Sequence, residues 1–252
     1  MKAFQLIFSG DPTVFEITLR TLYVSGAATV ISALWGIPTA VFLGLKDFRG
    51  RFFLKSLFKA LIGIPTVTLG LFFYLILSKS GPLGFLRILY SPTAIIIGEA
   101  VLITPIVVSF SANALEAVSP EIIDLAKTLG ASEDQAFFAV FKEALNGILL
   151  ATVASFNRAF AELGVAQMIG GNIFGFTSVL TTTIANETAK GNIPLSIALS
   201  IILLTIVFGI NLIVDILPKR GTDWRSGNGE PDILAGRSEK HNEIFQRDNG
   251  AR

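Results

Sequence analysis

The 252-residue chain contains no cysteine and a single histidine, His241. The first absence excludes disulfides and thiol nucleophiles, and the second removes most zinc and haem ligation. Charge is scarce as well, at 15% of residues against about 25% in an ordinary soluble domain. Neither sign dominates: 20 lysines and arginines face 19 acidic residues, a net charge of +1 that gives no basis for a nucleic-acid partner. The chain has neither G-x-x-x-x-G-K-[ST], the phosphate-cradling loop of many nucleoside triphosphatases, nor H-E-x-x-H, the helical zinc pattern. It is therefore expected not to be an enzyme and to bind no cofactor or metal of its own. The N-terminal "MKAFQLIFSGDP" lacks a small-residue cleavage site, so a cleaved signal peptide is not expected.

What is abundant is apolar: 52% of residues, gathered into long runs. A helix needs about 20 predominantly apolar residues to cross the hydrocarbon core of a bilayer. Residues 21–45, "TLYVSGAATVISALWGIPTAVFLGL", and 60–78, "ALIGIPTVTLGLFFYLILS", carry no charge. Residues 93–115 carry only Glu99, residues 144–164 carry Arg158 and Glu162 with Asn157 beside them, and residues 194–217 carry only Asp215. The expectation is an all-α membrane protein with five transmembrane helices. An N-terminal segment, 1–19, precedes a membrane domain, 20–217, and a polar, glycine-rich tail, 218–252, reads as disordered.

Basic residues orient such a chain, because cytoplasmic loops are enriched in them. Lys46, Arg49, Arg51, Lys55 and Lys59 fall in the first loop, and only Lys79 and Arg87 in the second. The first loop is thus expected inside, the N-terminus outside, and the 116–143 loop and the C-terminal tail in the cytoplasm. Pro38, Pro65 and Pro105 lie within the first three spans, where each bends a helix for packing or provides a hinge.

Three features invite a functional reading. The first is the polar stretch "SPEIIDLAKTLGASEDQAFFAVFKEA" between the third and fourth spans. Ser119, Pro120 and Glu121 read as the start of a short helix and Gly130 as its stop; Ser132 and Gln135 form a capping box that opens a second helix. Both helices are amphipathic. With six acidic residues and two lysines over 116–143, they suit a groove on a soluble partner better than an anionic lipid surface. The second is the set of intramembrane polar groups. Arg158 lies roughly 20 Å along the fourth span from Ala144, at a depth similar to that of Glu99 and one turn from Glu162. Such a cation needs a partner: either Glu99 or Glu162 pairs with it to fix the spans, or Arg158 and Asn157 line a path and donate to a passing oxyanion. The third is "GGN", ending at Asn172, in an outer loop rich in amide and hydroxyl donors, which is either a connecting turn or a gate.

The stretch "DLAKTLGASEDQAFFAVFKEALNGI" resembles the coupling loop of permease subunits of binding-protein-dependent ABC importers, whose pattern is E-A-A, three residues, G, nine residues, I-x-L-P. Asp124, Leu125 and Ala126 stand for E-A-A, Gly130 is in register, and Val140 takes the isoleucine position; Leu129, Ala131 and Ser132 fall within the same loop. Lys142 and Glu143 replace the usual Leu-Pro. The stretches "LIFSGDPTVFEITLRTLYVS", "LSKSGPLG" and "NRAFAELGVAQMIGGNIFGFTSVLTTTIANETAKG" are similar to the tungstate and molybdate branch. The resemblance implies a type I ABC importer permease in the plasma membrane. It also implies a homodimer of permeases, a separate ABC ATPase subunit holding ATP and magnesium, and an extracytoplasmic solute-binding protein that delivers tungstate, with molybdate or another oxyanion as the alternative cargo. A stand-alone ion-coupled transporter using Glu99, Arg158 and Glu162 as relay groups is the competing expectation.

Overall fold

The computed structural model describes residues 12–118, 125 and 128–216, except the side chains of Asp134 and Asp215. The expected short helix from Ser119, with Glu121, Asp124 and Ala126, and the tail beyond residue 217 lie largely outside them.

Helix α1, Pro12–Leu45, is 34 residues long and begins about two turns before the span expected from residue 21. Arg20 does not end it, because the guanidinium leaves the helix face to donate to the carbonyls of Ser178, at 3.1 Å, and Gly175, at 2.8 Å. A cation whose donors are satisfied by protein carbonyls can sit inside an otherwise apolar helix. Pro38 is accommodated within the helix.

The second apolar run does not form a straight span. It contributes to two helices, α2, Arg51–Leu61, and α3, Thr66–Leu77, bent by 98° at the break between them. Pro65 lies at this break: it lacks an N–H, caps the start of α3 in an extended conformation, and disfavours helical geometry at Ile64. At 12 residues, α3 is about 18 Å long, too short to span alone. The described residues therefore contain four helices long and apolar enough to cross a membrane, or five if the bent pair together makes one crossing.

Helix α4, Pro92–Glu116, starts at a Ser91 cap, whose side chain accepts from the Ala94 N–H, with proline at its first turn. It is the axis of the bundle: 72% of its most apolar window is buried, against 11% for α7, Ile193–Ile216. Small residues let neighbours approach it. A Cβ on Gly36 of α1 would lie 2.9 Å from Val107 Cγ1, and one on Gly147 would lie 2.5 Å from Ala114 Cβ.

Helix α5, Glu133–Phe160, joins what the sequence suggested as a loop helix and a separate fourth span. Both halves of the capping box form: the Ser132 N–H donates to Gln135 Oε1 at 2.9 Å and the Gln135 N–H to Ser132 Oγ at 3.4 Å. From there the helix runs unbroken, since Lys142 and Glu143 are good helix formers and do not stop it. After a π-helical turn, Ala166–Gly170, comes the short α6, Leu180–Ala189, followed by α7. At the end of α6, Lys190 at 2.7 Å and Asn192 at 2.9 Å donate to Glu187. Those bonds, Lys190's above all, hold its carboxyl below the ordinary carboxylate range.

Candidate functional site

Arg158 lies in the last turn of α5 and Glu162 two residues past its end, where the Glu162 N–H still donates to Ala159 O at 2.9 Å and keeps the two side chains close. Arg158 Nη1 meets Glu162 Oε2 at 2.6 Å. The pair is asymmetric: the Glu162 side chain is 2% exposed and that of Arg158 37% exposed. The other carboxylate oxygen of Glu162 accepts the Val165 N–H at 3.0 Å. The carboxylate is thus turned into the protein and anchored on both oxygens, while part of the guanidinium faces open space.

That space is a cleft of about 480 Å³ between the end of α5, the π turn and the start of α3, with Thr66, Val67, Gln167 and Met168 beside the ion pair. Its walls are close-fitted. A Cβ on Gly164 would meet Thr66 Oγ1 at 2.4 Å, and one on Gly70 would meet Met168 Cβ at 2.8 Å. On the far side of the π turn, a Cβ on Gly98 would lie 2.6 Å from Val165 Cγ1. The turn is fixed further by the Tyr90 N–H, which donates to Ile169 O at 2.8 Å. Single turns of π-helix are uncommon and concentrate at functional sites.

The other intramembrane groups do not converge on Arg158. Glu99, 2% exposed on α4, accepts a hydrogen bond from Ser25 Oγ of α1 at 3.2 Å. Of the two acids expected as partners for Arg158, the structure pairs it with Glu162. Asn157 turns toward α7, where its Nδ2 donates to Asn211 Oδ1 at 3.0 Å, and its own Oδ1 is buried without a hydrogen-bond partner. Asn172 lies beyond the π turn, with a left-handed φ of 47° and its Oδ1 accepting from Thr182 Oγ1 at 2.8 Å.

Sequence reasoning missed Ser25, Asn211 and the Thr66–Val67 wall. The i, i+4 spacing exposed the Arg158–Glu162 pair, but nothing local signals a partner 74 residues away, as Ser25 is from Glu99. Among the described residues, no group of three histidine, aspartate or glutamate side chains could hold a metal ion.

At the other end of the bundle, the described part of the polar stretch is a surface elbow. The Leu129 N–H donates to Leu125 O at 3.1 Å, and Gly130 then adopts a φ of +84° that reverses the chain into Ala131 and the Ser132 cap. Leu125 and Leu129 are 61% and 80% exposed, and Phe138 is 67% exposed. Val140 behaves differently: it is buried with Ala144 and Ile148 against Leu115. The elbow therefore presents leucines and a phenylalanine outward while Val140 fastens its base to the bundle.

A buried central helix with close small-residue contacts, a bent α2–α3 pair and a polar elbow before a long α5 make up a helical bundle with several helices apolar enough to cross a membrane. The chain belongs to the family described as binding-protein-dependent transport system inner membrane component, which matches residues 36–222. It is 37% identical over 212 residues to the tungstate uptake system permease protein TupB of Peptoclostridium acidaminophilum, an alignment covering 84% of this chain and 93% of that protein. It is also 38% identical over 219 residues to a probable anion ABC transporter permease protein of Haloferax volcanii, covering 85% and 94%. In fold it resembles the crystal structure of an amino acid ABC transporter with histidines, with a TM-score of 0.62 at 18% identity, covering 84% of this chain and 95% of that one.

Proposed function

We propose that this chain forms the translocation path of an ATP-driven importer for a tetrahedral oxyanion, tungstate above all, with molybdate as the nearest alternative. The observation that carries the reading is the asymmetry of the Arg158–Glu162 pair. An anion path needs a donor cation in the membrane whose counter-charge does not repel the cargo. Glu162 compensates the guanidinium from behind, and the exposed side of Arg158 keeps donors for a passing oxyanion. Because one face of Arg158 is already neutralised, the anion is held weakly enough to leave, which transport requires. The names of the tungstate and anion permeases it resembles along nearly their whole length support the choice of cargo.

Two copies related by two-fold symmetry complete the path. The N-terminus lies outside, and the elbow and the C-terminal tail lie in the cytoplasm, as the basic residues of the α1–α2 segment indicate. The exposed Leu125 and Leu129 enter a groove on a separate ATPase subunit, which binds ATP and magnesium, and an extracytoplasmic binding protein delivers the anion. Asp124, Ala126 and Glu121 belong to the same handle by sequence.

Proteoliposomes containing the chain, a cognate ATPase subunit and the loaded binding protein test the reading. They are expected to accumulate tungstate only with internal ATP, at a rate that falls to background when the ATPase is omitted. Accumulation by the chain alone, driven by an ion gradient, would overturn the reading in favour of a self-sufficient transporter.

A further inference from the structure

Where α4 ends and the elbow begins, Glu116 is gripped by two cations of α2. Its Oε1 lies 2.6 Å from Arg51 Nη2 and its Oε2 lies 2.5 Å from Lys55 Nζ. Arg51 is itself fixed: its Nε donates to Leu43 O at 2.8 Å, its Nη2 to Gly44 O at 2.9 Å, and its Nη1 to Asp47. One guanidinium thus closes the carbonyl end of α1, begins α2 and holds the last residue of α4. Adjacent to Glu116, Leu115 packs with Val140, Ala144 and Ile148 of α5.

Helix α2 is not a passive surface helix. Leu54 and Phe58 pack against Leu43 of α1 and Val108 and Ala112 of α4. Its far end makes the 98° bend into α3, whose first residues, Thr66 and Val67, form a wall of the Arg158 cleft. At 11 residues, α2 is about 16 Å long. A short rigid element is therefore held at one end by the residue that leads into the elbow and at the other by the wall of the cleft.

We propose that Glu116, through Arg51 and Lys55, is a positioning residue that makes α2 a lever between the ATPase-facing elbow and the cleft. This inference rests on the importer reading above. Displacement of the elbow moves Glu116, and the carboxylate draws the Arg51 end of α2 with it. Since α2 is helical and packed along one side, it turns as a unit, and the bend transfers the motion to Thr66 and Val67 and changes the width of the cleft beside Arg158. Glu116 touches neither the cargo nor nucleotide in this role; its contribution is the ratio of anion moved to ATP hydrolysed.

The test compares wild type with Glu116→Gln in proteoliposomes containing the cognate ATPase and binding protein, measuring tungstate uptake and ATP hydrolysis together. Glu116→Gln is expected to leave binding-protein-stimulated hydrolysis within about twofold and to reduce uptake per ATP by about two- to thirtyfold, the span of coupling changes for residues between two sites. The natural absence of cysteine supplies a second readout. The double variant Glu116→Cys with Lys55→Cys is expected to be uncoupled when reduced and to regain uptake per ATP when a short bismaleimide joins the two positions. An unchanged ratio in Glu116→Gln, or identical ratios in the reduced and cross-linked double variant, overturns the lever. Loss of ATP-dependent uptake in the wild type overturns the importer reading instead, so the two failures are distinguishable.

Discussion

Arg158→Ala is expected to lower the rate of anion uptake by about ten- to a hundredfold, the loss equivalent to one hydrogen bond to a charged group of about 1.5–3 kcal/mol. The same substitution strands Glu162, whose side chain is 2% exposed. Removing one partner of a buried ion pair costs about 3–5 kcal/mol. The lower part of that range applies, because Arg158 stands at the mouth of the cleft and water can take part of its place. Stability and uptake are separated by the double variant Arg158→Ala with Glu162→Gln. A neutral amide no longer needs a counter-charge, so the thermal midpoint of the detergent-purified protein is expected to recover while uptake stays low. If both recover together, the pair is a structural tie between helix turns and Arg158 has no part in the path. Arg158→Lys retains the charge without the planar fork and is expected to fall between wild type and alanine.

Gly130→Val is expected to uncouple hydrolysis from uptake while the protein still inserts into the membrane. Gly130 has a φ of +84°, and among the described residues no atom beyond its immediate chain neighbours lies within 4 Å of where its Cβ would stand. The effect is therefore one of backbone and not of collision. A non-glycine residue in the left-handed region costs about 1–2 kcal/mol, or about five- to thirtyfold in the population of the required turn. A β-branched side chain is the least tolerant of it. Gly130→Asn supplies the control, because asparagine visits that region readily; it is expected to retain more uptake per ATP than valine at equal expression. Equal coupling in glycine, valine and asparagine would show that the reversal at Gly130 does not shape the docking surface.

How far the sequence disclosed these features depended on whether the signal was local. The Ser132–Gln135 box and the reversal at Gly130 need only a few neighbouring residues; the structure shows the box and a left-handed φ at Gly130. The i, i+4 relation of Arg158 to Glu162 is equally local. The 98° break was hidden because hydropathy counts apolar residues without regard to direction: the run holding "GIPTVTLG" reads as one span, and Pro65 as a kink within it. The continuation of α5 through Ala144 was hidden for a related reason, since a change from amphipathic to apolar composition looks like a boundary although no glycine or proline stops the helix there. Helix α1 runs back to Pro12, beyond the uncharged stretch from residue 21, because Ser178 and Gly175 carbonyls satisfy the Arg20 guanidinium, a contact with no local signature. Contacts such as Ser25 with Glu99, or Glu116 with Arg51 and Lys55, join distant segments and had no local signature.

The absence of native cysteine makes one measurement especially direct. A single Leu129→Cys substitution, at a position 80% exposed on the elbow, can be probed in intact cells with a membrane-impermeant maleimide and in inverted vesicles with a thiol-to-amine cross-linker. The account predicts no labelling from outside and cross-linking to the ATPase subunit in the vesicles, abolished when that subunit is absent. Labelling of the introduced thiol from outside intact cells, or failure to cross-link while ATP-dependent uptake persists, would contradict it.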